Sequence, residues 1–387
     1  MGQPFLTDRL QGFGNTIFGE MSALAVATGS VNLGQGFPDT DGPTEVLEAA
    51  VAAIREGRGN QYPPAIGVPE LRHAVVAHQR RFYGMEFDAD TEVLVTCGAT
   101  EAIASVLLSL LSVGDEVVAF EPFYDSYAAC ISMAGAQRVG VTLYAPDYAI
   151  DLDALRRAIT PRTRMLLLNT PHNPTGKVFT RSELEALAAL AIEHDLLVMA
   201  DECYEHLVFD GLHIPIASLP GMRERTITVG SGGKTFSVTG WKVGWITSTP
   251  ALVSAVRCSK QFLTYVSSGP FQYAIATGLG LPDSYFTDFA DRLQVRRDML
   301  SAGLTTAGFD VMHTQGTFFL TADITPLGGV DGLEFCRSLP HRCGVVAVPT
   351  QVFYDNVDAG RRLVRFAFCK KIEVLEEACR RLKGLRS

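Results

Sequence analysis

Between residues 92 and 230, short apolar runs alternate with segments whose apolar positions recur at helical spacing. Val93-Leu-Val-Thr96, Glu116-Val-Val-Ala-Phe120, Met165-Leu-Leu-Leu168, Leu196-Leu-Val-Met-Ala200 and Thr226-Ile-Thr-Val229 read as strands. Their apolar residues are continuous rather than alternating, which predicts a parallel sheet covered on both faces. Helices are predicted at 100–112 and 181–194. Thr180 caps the second, with Glu183 three residues on as its capping-box partner. Upstream, 43–57 and 69–83 also read as helices, separated by the polar stretch Gly57-Arg-Gly-Asn-Gln-Tyr-Pro-Pro64. After about residue 283 the texture changes to a long charged helix over 284–307, short strands and a final helix near 372–385. That order predicts a large α/β unit followed by a smaller α+β one. Residues 1–40 are mixed, with several glycines, and no internal repeat is visible.

At 387 residues and 47% apolar composition the chain is long enough for two or three units and too apolar for disorder. No apolar run approaches the ~20 residues of a spanning helix. The first ten residues lack the basic and apolar regions of a secretory leader, so a cytoplasmic protein without membrane partners is expected. The net charge of −9, without Lys/Arg blocks, argues against nucleic acid as a partner. Eight cysteines are scattered without a CxxC pair, which predicts reduced thiols and no metal site.

Glycine-rich decoys fail on inspection. Leu33-Gly-Gln-Gly-Phe-Pro-Asp39 has Asp39 where a dinucleotide fingerprint needs its third glycine, and Gly233-Lys-Thr235 has Thr228 where a P-loop needs its first. The polar residues that follow the strands are more informative, because open α/β sheets bind ligands at the carboxyl ends of their strands. Gly98-Ala-Thr100 opens a helix there, with free N–H groups suited to a phosphate. Asn169 to Asn173, Asp201 with Tyr204, and Ser231 with Lys234 end three further strands. One sheet edge thus presents a phosphate seat, an amide, a carboxylate, a phenol and an amine.

That combination resembles the class I/II pyridoxal-phosphate aminotransferases of fold type I, in the kynurenine/glutamine transaminase branch. The resemblance rests on Asn169-Thr-Pro-His-Asn-Pro-Thr-Gly-Lys177, Ala200-Asp-Glu-Cys-Tyr204 and Ser231-Gly-Gly-Lys-Thr-Phe-Ser-Val-Thr-Gly-Trp-Lys-Val-Gly-Trp245. Val31-Asn-Leu-Gly-Gln-Gly-Phe-Pro-Asp39, Tyr62-Pro-Pro64, Glu121-Pro-Phe-Tyr124 and Val364-Arg-Phe-Ala-Phe368 extend it over nearly the whole chain. It implies a mostly parallel seven-stranded sheet between helices in a cofactor-binding domain over 41–282. Residues 1–40, an N-terminal arm and part of the small domain, and a C-terminal small domain over 283–387 would complete the fold.

The same resemblance assigns roles. Lys234 is expected to join the pyridoxal 5′-phosphate aldehyde as an imine and to move the substrate α-proton. Asp201 is expected to keep the pyridine nitrogen protonated. Asn173 and Tyr204 would hold the ring oxygen, and Phe123 would stack on the ring. Gly98, Ala99, Thr100, Ser231 and Lys242 would hold the phosphate, joined by Tyr62 from the other subunit of a homodimer. Arg365 and the Gly36 N–H would bind the substrate α-carboxylate, and Phe18 stands where some relatives carry tryptophan. The implied reaction is ping-pong amino exchange between an amino acid and a 2-oxo acid. Within the branch the chain looks like the actinobacterial enzymes that use N-succinyl-LL-2,6-diaminopimelate with 2-oxoglutarate/glutamate in lysine biosynthesis. Kynurenine, glutamine or methionine transamination, and a β-lyase using the same cofactor and lysine, remain alternatives.

Overall fold

A computed structural model describes residues 5–14 and 16–386. Residues 1–4, part of the terminus read above for a leader, lie outside the described residues. The largest sheet has seven strands in the spatial order Val93–Thr96, Gly244–Thr247, Thr226–Ser231, Leu197–Asp201, Thr163–Asn169, Glu116–Glu121, Gln137–Thr142. Gly244–Thr247 runs antiparallel to both of its neighbours, and every other pairing is parallel. The sheet is therefore mixed but mostly parallel.

Strand pleating sends successive side chains to opposite faces, and both faces are apolar. Leu166, Leu168, Val198 and Ala200 pack on one side against Leu184, Leu187 and Ala191 of the helix Arg181–Glu193. Met165, Leu167, Met199 and Ile227 pack on the other against Ala102, Ile103 and Val106 of the helix Gly98–Leu110. Each wholly buried leucine or isoleucine in these layers contributes about 1.5–3 kcal/mol. The helix Arg181–Glu193 begins with both hydrogen bonds of the Thr180/Glu183 capping box.

A second, four-stranded antiparallel sheet runs in the order Val348–Pro349, Leu363–Ala367, Phe319–Asp323, Asp310–Val311. The helices Asp283–Ala307 and Ile372–Leu382 share its core. Met21, Ala25 and Leu33 enter that same core, and Val31–Asn32 pairs in parallel with Val345–Val346. The N-terminal segment contains a helix, Ile17–Thr28, that the hydrophobic pattern did not reveal. Only Met21 and Ala25 are wholly buried on it, while Val26 is exposed, so no continuous apolar stripe forms. The strand Gln137–Thr142 was missed because it is an edge strand with Gln137 and Gly140 exposed. Among the described residues, no helix is long and apolar enough to cross a membrane.

Candidate active site

Strand register brings the chemistry together. Asn169 pairs with Asp201, Asp201 with Val229, and both Ser231 and Thr96 pair with Gly244. The last residues of four parallel strands thus share one edge. There Asn169, Asp201 and Ser231 border a cavity of about 370 Å³, within the range of small-molecule sites. Its walls include Lys234, Asp201, Tyr204, Asn173, Gly98, Ala99, Thr100, Ser231, Lys242, Gly36, Phe18 and Arg365.

Lys234 sits on a single helical turn, Gly232–Thr235, directly after the strand Thr226–Ser231. Its amine lies 5.7 Å from the centre of the Tyr204 ring and 5.3 Å from that of Phe318. Burial among these groups lowers its pKa from the ordinary lysine value. Asp201, 3% exposed, accepts the Tyr127 hydroxyl proton at 2.6 Å on Oδ2 and the Cys203 N–H at 3.2 Å on Oδ1. Burial nevertheless raises its pKa, with these donors pulling the other way. Asn169 donates to the Asp201 carbonyl at 2.9 Å and receives the Asn173 N–H at 2.8 Å, locking the two strand ends together.

Also on the cavity wall, Gly98 starts its helix at φ +71°, a conformation that favours glycine. The Lys242 amine donates to the Thr100 hydroxyl at 3.1 Å, and Ser231 Oγ receives the Gly233 N–H at 3.3 Å. A cation, two hydroxyls and the free N–H groups of a first helical turn form a seat for a compact anion.

Arg365 lies inside the strand Leu363–Ala367 and is 2% exposed. It donates to Asn173 Oδ1 and to the Gly34 carbonyl, each at 3.1 Å, while its Nε is buried without a partner. Its guanidinium carbon stands 4.0 Å from the Phe319 ring centre and 5.1 Å from that of Phe18. Burial lowers its pKa to about 10. A Cβ on Gly36 would come within 2.4 Å of Phe319, so only glycine lets this chain segment close over the arginine's aromatic wall. A buried guanidinium with an idle donor suits a carboxylate.

One expected residue stands elsewhere, and Tyr62, expected to act on the other subunit's site, lies outside this subunit's cavity. Phe123 does not border this cavity; its neighbour Tyr124 does. The chain leaves the strand Glu116–Glu121 just before them, and the Phe123 N–H is held by the Phe353 carbonyl at 2.9 Å. Phe123 therefore turns away, with the Arg138 guanidinium 3.9 Å from its ring centre. Tyr62 is also outside the cavity, 81% exposed, with its ring edge-on to Tyr265 at 5.6 Å. Tyr124, Tyr127 and Phe319 were not anticipated. Tyr127 follows Tyr124 by three residues, one helical turn, and that spacing was the available signal.

All eight cysteines are free. His78, Glu205 and His206 form a potential metal-ligating group that the sequence had not suggested. It does not border the cavity, and His78 and His206 already share a 2.6 Å hydrogen bond.

The family described as aminotransferase class I and II matches residues 28–382. A Mycobacterium tuberculosis protein named "Probable N-succinyldiaminopimelate aminotransferase DapC" is 51% identical, over 97% of this chain and 98% of its own. The solved structure of N-succinyldiaminopimelate aminotransferase from that organism superposes with a TM-score of 0.96 at 51% identity, covering 98% of this chain and 100% of that one. The methionine aminotransferase of Escherichia coli is 36% identical over 97% of both chains.

Proposed function

The chain belongs to the class I and II aminotransferases and uses pyridoxal phosphate, and we propose that its amino donor and acceptor are N-succinyl-LL-2,6-diaminopimelate and 2-oxoglutarate. The observation that carries the substrate is the 51% identity to the mycobacterial protein across almost the full length of both chains. The fold is the fold-type I architecture of its solved neighbours. We place the enzyme in the cytoplasm, in lysine biosynthesis.

The donor set fits the cofactor: an anion seat at Gly98–Thr100, a lysine between rings and a buried carboxylate, Asp201, that forms no ion pair among the described residues. When bound, the cofactor supplies an aldehyde that joins an amine and a ring that takes up electrons from the substrate α-carbon. Lys234 would hold that aldehyde in the resting enzyme. Once displaced, its Nζ would take the proton from the α-carbon and return one; burial lowers its pKa, which favours the uncharged amine that this role needs. Asp201 would keep the pyridine nitrogen protonated, with Tyr127 and the Cys203 N–H fixing the carboxylate. Asn173 and Tyr204 would hold the ring oxygen, and Tyr124, which lines the cavity where Phe123 does not, would be the aromatic beside the ring. Gly98, Ala99, Thr100, Ser231 and Lys242 would hold the phosphate. Arg365, with the Gly36 N–H, grips the substrate α-carboxylate beside Phe18. Transamination of kynurenine, glutamine or methionine, and β-elimination, are the competing outcomes.

A donor panel tests the substrate. N-succinyl-diaminopimelate should exceed methionine and kynurenine in kcat/KM by at least about 100-fold, a difference of about 2.7 kcal/mol. Equal or better use of methionine or kynurenine would refute the assignment. Ammonia and 2-oxo acid release without an acceptor would instead indicate a lyase.

We also propose a homodimer with shared sites. The loop carrying Tyr62 is docked by Lys260, which donates to the carbonyls of Ala65 at 2.9 Å and Tyr265 at 2.7 Å. Gln272 adds a bond to the Val68 N–H at 2.9 Å. That loop holds Tyr62 outward beside the exposed Tyr265, an aromatic surface suited to a second copy. Mixing Lys234→Ala subunits with Tyr62→Phe subunits should create dimers with one intact site of normal cofactor affinity. If every competent site keeps the weak affinity of the Tyr62→Phe dimer, Tyr62 acts within its own chain.

A further inference from the structure

A second cavity, of about 600 Å³, lies beside the first. The wall between them is thin. Phe18 borders the first cavity and Ile17 the second; Tyr124 borders the first, Phe123 and Asp125 the second. Phe18 also stacks on Phe353, which lines the second cavity, at 5.8 Å between ring centres. The Arg365 guanidinium stands 5.1 Å from the Phe18 ring centre and 5.4 Å from that of Phe353. One aromatic layer therefore separates the arginine from the neighbouring space.

That space holds two arginines. Arg138 pairs through Nε with Asp355 Oδ2 at 3.0 Å and through Nη2 with Oδ1. Arg337 pairs through Nε with Glu20 Oε1 at 2.6 Å and through Nη2 with Oε2 at 3.2 Å. Both forks use the same edge of the guanidinium, so each Nη1 edge is left for another acceptor. The carboxylates do not saturate the arginines; they hold them in fixed orientation, which reduces the ordering cost of binding an anion.

The proposed substrate has two carboxylates beyond its reacting end, one on its second α-carbon and one ending the succinyl arm. We propose that the second cavity receives this distal half, with Arg138 and Arg337 binding the two remote carboxylates and Phe18 and Phe353 forming the sill between. The inference rests on the substrate reading above. It also accounts for Phe123 facing away from the cofactor cavity: Phe123 lines the distal space and supports the face of Arg138.

The holoenzyme tests it through the donor half-reaction, followed by cofactor absorbance, with N-succinyl-diaminopimelate and with glutamate, which is too short to cross the sill. Arg138→Gln and Arg337→Gln should each raise the KM for the succinylated donor at least about tenfold, the value of one charge-assisted hydrogen bond. The KM for glutamate should change by less than about twofold. The Arg337 pair lies on the surface, so that variant should fold even if Arg138→Gln does not. Equal shifts for the two donors, or none, would overturn the subsite while leaving the substrate assignment standing. No turnover of the succinylated donor by the unaltered enzyme would overturn both.

Discussion

Replacing Lys234 with alanine should lower multiple-turnover transamination by at least about 10⁴-fold while leaving the protein folded. The loss combines the proton transfer, typically worth 10²–10⁴, with the covalent hold on the cofactor. Folding should survive because the amine adds little to stability. It is desolvated between the Tyr204 and Phe318 rings, and burial already penalises its charge. The backbone around it is held independently, with the Phe236 N–H on the Gly232 carbonyl at 3.0 Å and the Gly232 N–H on that of Val243 at 3.1 Å. Steady-state rates beside thermal melts check both halves. Turnover within tenfold of the parent would remove Lys234 from the mechanism.

Asp201→Asn should separate stability from catalysis. With cofactor bound, kcat should fall about 10²–10³-fold, the usual cost of removing one preorganised electrostatic group. Without cofactor, the variant should be more stable at neutral pH, melting a few degrees higher. The sign follows from the raised pKa. Below the ordinary carboxylate range Asp201 is protonated whether the chain is folded or not, and its burial carries no charge penalty. As pH rises past that range the unfolded chain ionises first, so the folded state is progressively penalised. Asparagine removes that penalty, so the gain should shrink as the buffer is taken down toward pH 4. Melting curves of the cofactor-free proteins across pH 4–8 measure it. A variant destabilised at pH 7, or a gain that grows on acidification, would contradict the reading of Asp201 as a carboxylate kept for its electrostatic role.

The parts of this site that were legible in the sequence share one property. Lys234, Asp201, Asn173 and the Gly98–Thr100 turn each end a continuous apolar run, and parallel strands place such ends on one edge. Arg365 was legible because its flanks, Val364 and Phe366, mark a buried strand that has no ordinary use for a guanidinium. Phe123 and Tyr124 were not distinguishable: after Glu121 the chain leaves the sheet, and strand alternation no longer says which ring turns inward. The helix Ile17–Thr28 was hidden for lack of a broad apolar face, although it supplies Phe18 to one cavity and Ile17 and Glu20 to the other. The second cavity gave no local signal because its walls come from segments near residues 12–20, 123–138 and 333–355, which only the folded chain brings together.

The most direct test of the central claim is chemical. Borohydride reduction of the holoenzyme makes the link between the cofactor and its lysine permanent, and proteolysis with mass spectrometry then locates it. The cofactor mass should appear stoichiometrically on the peptide containing Lys234, and the Lys234→Ala protein should yield none. Label on any other lysine, or an unlabelled Lys234 peptide from active enzyme, would contradict the site described here.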